Sequence, residues 1–143
     1  MTNSFNFDIP EKNSGQKKAK ENKKLFGVKR SFDSTVVETD KFYSLPDKAQ
    51  ALYLHLQMNT DSYGFILRAE QLTKAFCNNR LDNLKRLINE GYILQVAAHV
   101  YVMTHWRVNT NFDRANDRDT QFQDEFQRLT LDESTRQYKI MQE

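Results

Sequence analysis

The fold of this protein is decided by residues 80–106, which read RLDNLKRLINEGYILQVAAHVYVMTHW. The first part predicts a helix from about Arg80 to Glu90, because apolar side chains recur on one stripe at helical spacing. This stripe consists of Leu81, Leu84, Leu87 and Ile88. Gly91 stands where a C-terminal helix cap is expected. Two strand-like segments follow, Tyr92 to Val96 and Val100 to Trp106, so the stretch predicts a helix followed directly by a β-hairpin.

The residues before this stretch predict two further helices and two short strands. Ser31 to Glu38 is interpreted as a short strand. A helix of about 13 residues is expected next, with Ser44 as its N-cap, a proline in its first turn and its end near Asn59. Phe65 to Leu67 is interpreted as a second short strand, and Arg68 to Phe76 has the apolar spacing of a helix. This order of elements is that of a winged helix–turn–helix domain, an α+β and mostly helical fold.

Charge is distributed unevenly along the 143 residues, although the formal net charge is only +2. Residues 1–30 hold eight basic and three acidic side chains with few apolar groups, which predicts a disordered basic arm. Residues 31–112, the predicted winged-helix domain, hold eight of each sign. Residues 113–143 hold five basic and eight acidic side chains. The chain is therefore polarised from end to end.

The acidic segment, residues 113–143, is predicted to be a helical tail. Phe122, Phe126 and Leu129 fall at i, i+4 and i+7, which would place them on one helical face. Thr130 to Glu133 has capping-box spacing and predicts the start of a last helical turn or two.

Few residues offer catalytic or metal chemistry. The only cysteine is Cys77, and the three histidines are His55, His99 and His105. The sequence contains no HExxH, CxxC, GxSxG or glycine-rich phosphate loop, so neither an enzyme nor a bound metal or cofactor is expected. No apolar run approaches the roughly 20 residues of a membrane span. Because a lone cysteine implies no oxidising compartment, a soluble cytoplasmic protein is expected.

The face of the third helix opposite its apolar stripe is the candidate DNA-binding surface. Its members on a helical wheel are Asn79, Asp82, Asn83, Arg86 and Glu90, with Arg80 on the flank. Arginine and asparagine side chains can donate to base edges, and lysines fit phosphate positions. The candidates are Arg80, Asn83 and Arg86 for bases and Lys74 and Lys85 for phosphates. The alternative is that Asp82 and Arg86, four residues apart, pair with each other across a solvated face.

The basic arm offers a second contact that does not read sequence, because its lysines can displace counterions from a duplex. The candidate lysines are Lys17, Lys18, Lys20, Lys23 and Lys24. The hairpin turn, Gln95 to His99, contains no lysine or arginine, and we do not expect it to hold phosphates.

Residues 36–109 resemble the N-terminal winged-helix domain of phage replisome organisers, the DnaD-like replication initiation proteins of Firmicutes phages and prophages. The motifs that carry the resemblance are DKFYSLP at 40–46, QALYLHL at 50–56, DSYGF at 61–65 and HWRVN at 105–109. The resemblance implies a winged-helix fold that binds DNA at a replication origin. It also implies recruitment of helicase-loading factors by parts outside this domain.

The first hypothesis is therefore a non-enzymatic DNA-binding protein of phage or prophage origin that acts in replication initiation in the bacterial host cytoplasm. Its expected partners are double-stranded DNA and replication proteins, a helicase or a helicase loader. A transcriptional regulator would share the fold and the DNA. A third hypothesis is a protein adaptor that has lost DNA binding and docks a partner, or a second copy of itself, through the stripe of Phe122, Phe126 and Leu129.

Overall fold

A computed structural model describes residues 27–110 and 120–141. In these ranges the chain forms seven helices and two antiparallel hairpins, which confirms an α+β, mostly helical fold. The helices are α1 Ser34–Val37, α2 Asp40–Tyr43, α3 Asp47–Met58, α4 Ala69–Phe76, α5 Asp82–Asn89, α6 Trp106–Asn109 and α7 Gln123–Phe126. The strands are β1 Ile93–Ala97, β2 Val100–Met103, β3 Leu129–Leu131 and β4 Tyr138–Ile140. None of the described helices combines the length and apolar character that a bilayer crossing requires. Residues 1–26 of the predicted arm and the predicted domain boundary at 112 lie outside the described residues.

Helix α3 is the centre of the core and contacts both α4 and α5. Its fully buried face includes Leu52, Tyr53 and Leu56, and the helix ends at Asn59 as the sequence predicts. The rings of Phe42 and Tyr92 pack edge-on against Tyr53, at centroid distances of 5.3 and 5.8 Å. Aromatic pairs in this geometry add to the stabilisation that comes from burial alone.

Helix α5 and the first hairpin follow in the predicted order, and the glycine between them acts as the predicted cap. Gly91 has a φ of 88°. Its N–H donates to the carbonyl of Ile88 at 3.0 Å, and the N–H of Tyr92 donates to the carbonyl of Leu87 at 2.9 Å. These two bonds form a Schellman motif, which turns the chain directly from α5 into β1.

The predicted short strand at residues 65–67 is present as two bridging residues on the edge of the first hairpin. Phe65 lies opposite Val102 of β2, and the N–H of Ile66 donates to the carbonyl of Tyr101 at 2.9 Å. The segment between α3 and α4 therefore runs antiparallel to β2 along its free edge. It forms a short third strand beside the β1–β2 hairpin.

Gly64 allows this segment to approach Trp106 closely. Its φ is +95°, a conformation that residues with a Cβ resist. A Cβ built at this position would lie 2.6 Å from Cγ of Trp106. The indole Nε1 of Trp106 in turn donates to the carbonyl of Ser62 at 3.1 Å, so the turn and the indole fit against each other.

Asn109 joins the beginning of the described body to the end of α6. Its Oδ1 accepts from the N–H of Asp33 at 2.7 Å, and its Nδ2 donates to the hydroxyl of Tyr53 at 2.9 Å. The hydroxyl of Ser31 donates to the carbonyl of Asn109. Because the side chain of Asn109 is buried, these bonds hold together two segments more than 70 residues apart in sequence.

Two expectations about the first half of the chain are wrong. Ser31 to Glu38 is not a strand, because Asp33 accepts a hydrogen bond from the N–H of Thr35 at 2.9 Å and starts α1. Ser44 does not cap α3. It ends α2, where its hydroxyl donates to the carbonyl of Lys41, and Pro46 occupies the N-cap position of α3.

The expected length of the second hairpin strand is also wrong. Strand β2 ends at Met103, and Trp106 begins α6 instead of continuing the strand. The N–H groups of Val108 and Asn109 both donate to the carbonyl of His105, which closes the first turn of this helix.

The prediction that the tail is helical is wrong for most of its described residues. Only α7 is helical, and the chain then forms the β3–β4 hairpin. Thr130 pairs with Lys139 across this hairpin instead of capping a helix. Asp132 organises the turn, because its carboxylate accepts from the N–H of Ser134 at 2.9 Å and pairs with Lys139 at 2.9 Å. Tyr138 is buried, so the hairpin packs on the core through this side chain.

The apolar stripe of the tail packs against the body of the same molecule. The rings of Phe122 and Phe65 stack with centroids 5.2 Å apart, and Phe126 meets Tyr63 edge-on at 4.7 Å. Phe122, Phe126 and Leu129 are all partly buried against the core. The stripe therefore does not form the free docking face that the adaptor hypothesis requires.

Candidate nucleic-acid interface

The turn between α4 and α5 fixes the start of the candidate DNA-binding helix. Asn78 and Asn79 both have positive φ, 53° and 68°, which asparagine tolerates better than most residues. The N–H of Asn79 donates to the carbonyl of Lys74 at 2.8 Å. Cys77, at the end of α4, is buried. Two successive left-handed residues thus turn the chain after α4, and α5 begins three positions later, at Asp82.

Helix α5 has the two faces that its sequence predicts. Leu84 and Leu87 are buried, and α5 packs against α3 and β1. Four of the candidate side chains on this side of the molecule are exposed, namely Asn79, Arg80, Lys85 and Arg86. Asn83 lies at the inner edge, where it is half-buried and its Nδ2 donates to Sγ of Cys77 at 3.7 Å. The structure thus brings the helix candidates together on one surface, which we call the α5 face.

Two ion pairs cross the α5 face, and neither is the expected one. Arg80 donates through Nε and Nη2 to Oδ2 of Asp82, at 2.9 and 2.6 Å. Arg86 pairs with Glu90 at 3.5 Å, not with Asp82, so the sequence alternative is wrong in its partner. The carboxylate of Asp82 raises the pKa of Arg80 above its ordinary value. Both arginines remain at least 45% exposed, and ion pairs this exposed contribute little stability and exchange partners readily.

The two lysine candidates of this region add positive charge beside the arginines. Lys74 on α4 and Lys85 on α5 are exposed, and neither forms an ion pair with any other described residue. With the two arginines, Lys85 gives the α5 face three cations against the two carboxylates of Asp82 and Glu90, while Lys74 and Glu70 lie on the neighbouring α4. The arm candidates Lys17, Lys18, Lys20, Lys23 and Lys24 lie outside the described residues.

The hairpin tip is held by a cluster that the sequence did not predict. Glu70, in the first turn of α4, accepts from the hydroxyl of Tyr101 at 2.6 Å and lies 2.9 Å from Nδ1 of His99. The hydroxyl of Tyr101 and then His99 lower the pKa of Glu70. Burial, followed by the hydrogen bond to Glu70, raises the pKa of Tyr101 to about 12. The tip therefore leans back onto α4. These residues lie about 30 positions apart, and no local pattern indicates the contact.

A scan against protein-family models, a search of curated proteins and a search of solved structures each found no match to this chain.

Proposed function

We propose that this protein is a non-enzymatic winged helix–turn–helix protein that binds double-stranded DNA and acts in replication initiation. One observation carries the DNA-binding part of the proposal. Helix α5 is anchored by one buried stripe against α3 and β1, while its other side carries exposed donors and a cationic excess. The order α3, extended segment, α4, α5 and hairpin supports the winged-helix assignment.

In this proposal α5 enters the major groove, which is about 12 Å wide and admits one helix. Arg80 and Arg86 have the exposure needed to reach base edges. Lys74 and Lys85 flank them and would contact phosphates. Asn83 is a weaker base-contact candidate than the sequence suggested, because its amide already donates to Cys77.

The acidic residues of the α5 face have a defined part in this proposal. Asp82 accepts from Nε and one Nη of Arg80, which favours one orientation of the guanidinium and leaves its remaining N–H groups free to donate. A guanidinium that already favours one orientation loses less freedom when it forms two bonds to guanine. A carboxylate at this position also repels phosphates, so it disfavours binding to the wrong register.

The replication role is supported by the resemblance of residues 36–109 to phage replisome organisers. A helicase or a helicase loader is then the expected protein partner, and the bacterial host cytoplasm is the expected location. A transcriptional regulator would use the same α5 face on a different site. Footprinting on the DNA that flanks the protein's own gene distinguishes the two, since protection of an origin supports initiation and protection of a promoter supports regulation.

The test of DNA binding is a fluorescence anisotropy titration of duplex DNA at about 50 mM salt, repeated at increasing salt. We expect log affinity to fall linearly with log salt, by about 0.9 per phosphate neutralised. Arg86→Ala should weaken binding to a cognate site by about 1–3 kcal/mol. Lys139→Ala is the matched control, because Lys139 is an exposed, carboxylate-paired cation on the second hairpin. No duplex binding at about 50 mM salt, or equal losses for both variants, would overturn the proposal.

A further inference from the structure

An apolar groove opens on the side of α3 turned away from the core. It has a volume of about 450 Å³ and lies between α3 and the two short helices α1 and α2. Its apolar lining consists of Phe32, Val37, Phe42, Tyr43, Ala51 and Leu54. Tyr43 is 53% exposed and Leu54 is 46% exposed, so two large apolar side chains of the groove face solvent. A concave, mostly apolar site of this kind can receive the apolar side chains of a ligand or segment.

The groove lies on the side of α3 that faces away from the buried residues of this helix. Asp47, Ala51 and Leu54 follow one another at i, i+4 and i+7 and so share one side of the helix. Leu52 and Leu56 lie on the other side and are fully buried. No residue of α5 lines the groove, so an occupant would bind a surface separate from this helix.

The charge at the groove favours a cationic occupant. Two carboxylates, Glu38 and Asp47, belong to its lining. Glu38 accepts a hydrogen bond from the hydroxyl of Tyr43. Neither carboxylate has an ion-pair partner within residues 27–110 and 120–141. A segment with both apolar side chains and positive charge would therefore complement the apolar lining and the two carboxylates of the groove.

We propose that residues 1–26 of this chain bind in the groove through their apolar side chains. The segment contains Phe5, Phe7, Ile9, Leu25 and Phe26, and it carries six lysines against three acidic residues. It therefore complements the groove in both hydrophobicity and charge. The inference goes beyond the proposed DNA binding and does not depend on it.

The connection of this segment to the body also favours binding within one chain. The described residues begin at Gly27, and Phe32, five positions later, already forms part of the groove wall. Residues 10–26 can span about 55 Å when extended, whereas a body of about 100 residues has a radius of gyration of about 13 Å. Reach is therefore not limiting, and the tether gives an effective concentration of the order of millimolar.

Photo-crosslinking in the full chain tests this inference without DNA, so its outcome is independent of the proposed function. Leu54 is replaced by p-benzoylphenylalanine, and the matched control carries the same group in place of Leu67, an exposed leucine outside the groove. After irradiation of the monomer at low concentration, we expect crosslinks within one chain to peptides from residues 1–26. Their yield should be several-fold above that of the control. Crosslinks between two chains, absence of crosslinks to residues 1–26, or equal yields would each overturn the inference.

Limited proteolysis provides a second readout on the folded chain. Trypsin cleavage at Lys17 and Lys18 should be several-fold faster in Leu54→Asn than in the parent, because the neutral polar substitution weakens the apolar contact that shields the segment and adds no charge to the groove. Leu67→Asn is the control and should match the parent. Equal cleavage rates in Leu54→Asn and the parent would contradict the inference.

Discussion

Protonation of His105 should destabilise the folded protein in mildly acidic solution. His105 lies between β2 and α6, where its ring packs against that of Tyr92 at a centroid distance of 5.7 Å. Its Nδ1 is buried and has no hydrogen-bond partner among the described residues. Burial, and then the positive charge of Lys41, lower the pKa of His105 from 6.5 to about 4. The folded state therefore favours the neutral ring.

The size of the effect follows from this difference in pKa. Between pH 6.5 and 4 the unfolded chain binds a proton at His105 that the folded chain does not, so stability must rise with pH across this window. The stabilisation is complete above about pH 6.5 and is lost progressively as the pH falls towards 4. At 1.36 kcal/mol for each pKa unit, the whole loss is roughly 3 kcal/mol, of which about 2 is lost by pH 5.

Urea unfolding followed by the fluorescence of Trp106, the only tryptophan, measures this dependence. The comparison is between the parent and His105→Phe, which keeps a ring beside Tyr92 and removes the titrating group. We expect the free energy of unfolding of the variant to change by about 2 kcal/mol less than that of the parent between pH 7 and pH 5. His55→Gln, at an exposed histidine, is the control. Parallel curves for the parent and His105→Phe would refute the reasoning.

Three further changes test other parts of the structure. Gly64→Ala should destabilise the protein by about 3 kcal/mol in chemical unfolding, because it combines a positive φ with a clash against Trp106, and a stable variant would contradict the described packing. Phe122→Ala should cost about 1–2 kcal/mol, since a partly buried stacked ring is removed, whereas a tail that does not pack on the body would show no change. Asp82→Asn should raise affinity for random duplex DNA in anisotropy titrations while it lowers the ratio of cognate to random affinity. If both affinities rise equally, Asp82 does not orient Arg80.

The parts of the fold that follow from local patterns could be predicted from the sequence. The stripe of α5 places this helix within two residues of its observed bounds, and Gly91 marks its end because only a few residue types adopt positive φ readily. The errors lie where distant contacts decide the structure. Val36 is β-branched and favours a strand in isolation, yet the Asp33 cap and burial of Val36 in the core make its segment helical.

The tail shows the same limit more clearly. The spacing of Phe122 and Phe126 is helical, and α7 does form there. The following residues instead form the β3–β4 hairpin, which Tyr138 attaches to the rest of the molecule. The N–H of Tyr138 donates to the carbonyl of Thr104 at 3.0 Å, and its hydroxyl donates to the carbonyl of Tyr63 at 2.9 Å. These partners lie more than 30 residues away in sequence, so no local pattern indicates them.

The sequence predicts which side chains of the candidate site share a face of the helix, but not which of them pair with each other. The helical wheel places Asp82 and Arg86 opposite the apolar stripe, and both are exposed, because the helix period alone fixes which side chains share a face. Arg80 precedes α5, so its position beside Asp82 depends on the turn and not on the helix period. The pairing of Arg86 with Glu90 depends on side-chain rotamers, which the sequence leaves open between two carboxylates. The contact of Glu70 with the hairpin tip depends on the packing of two separate elements.

The hydrogen bonds of Asn109 have a mechanical consequence at the point where the described body begins. Ser31 and Asp33 are tied to Asn109 at the end of α6, and the carbonyl of Ser31 also accepts from Nε2 of Gln57 on α3 at 3.0 Å. A force applied through the first 26 residues would therefore be shared between α6 and α3 at this junction. None of these hydrogen bonds involves α5, so the helix that carries the α5 face would not be loaded directly.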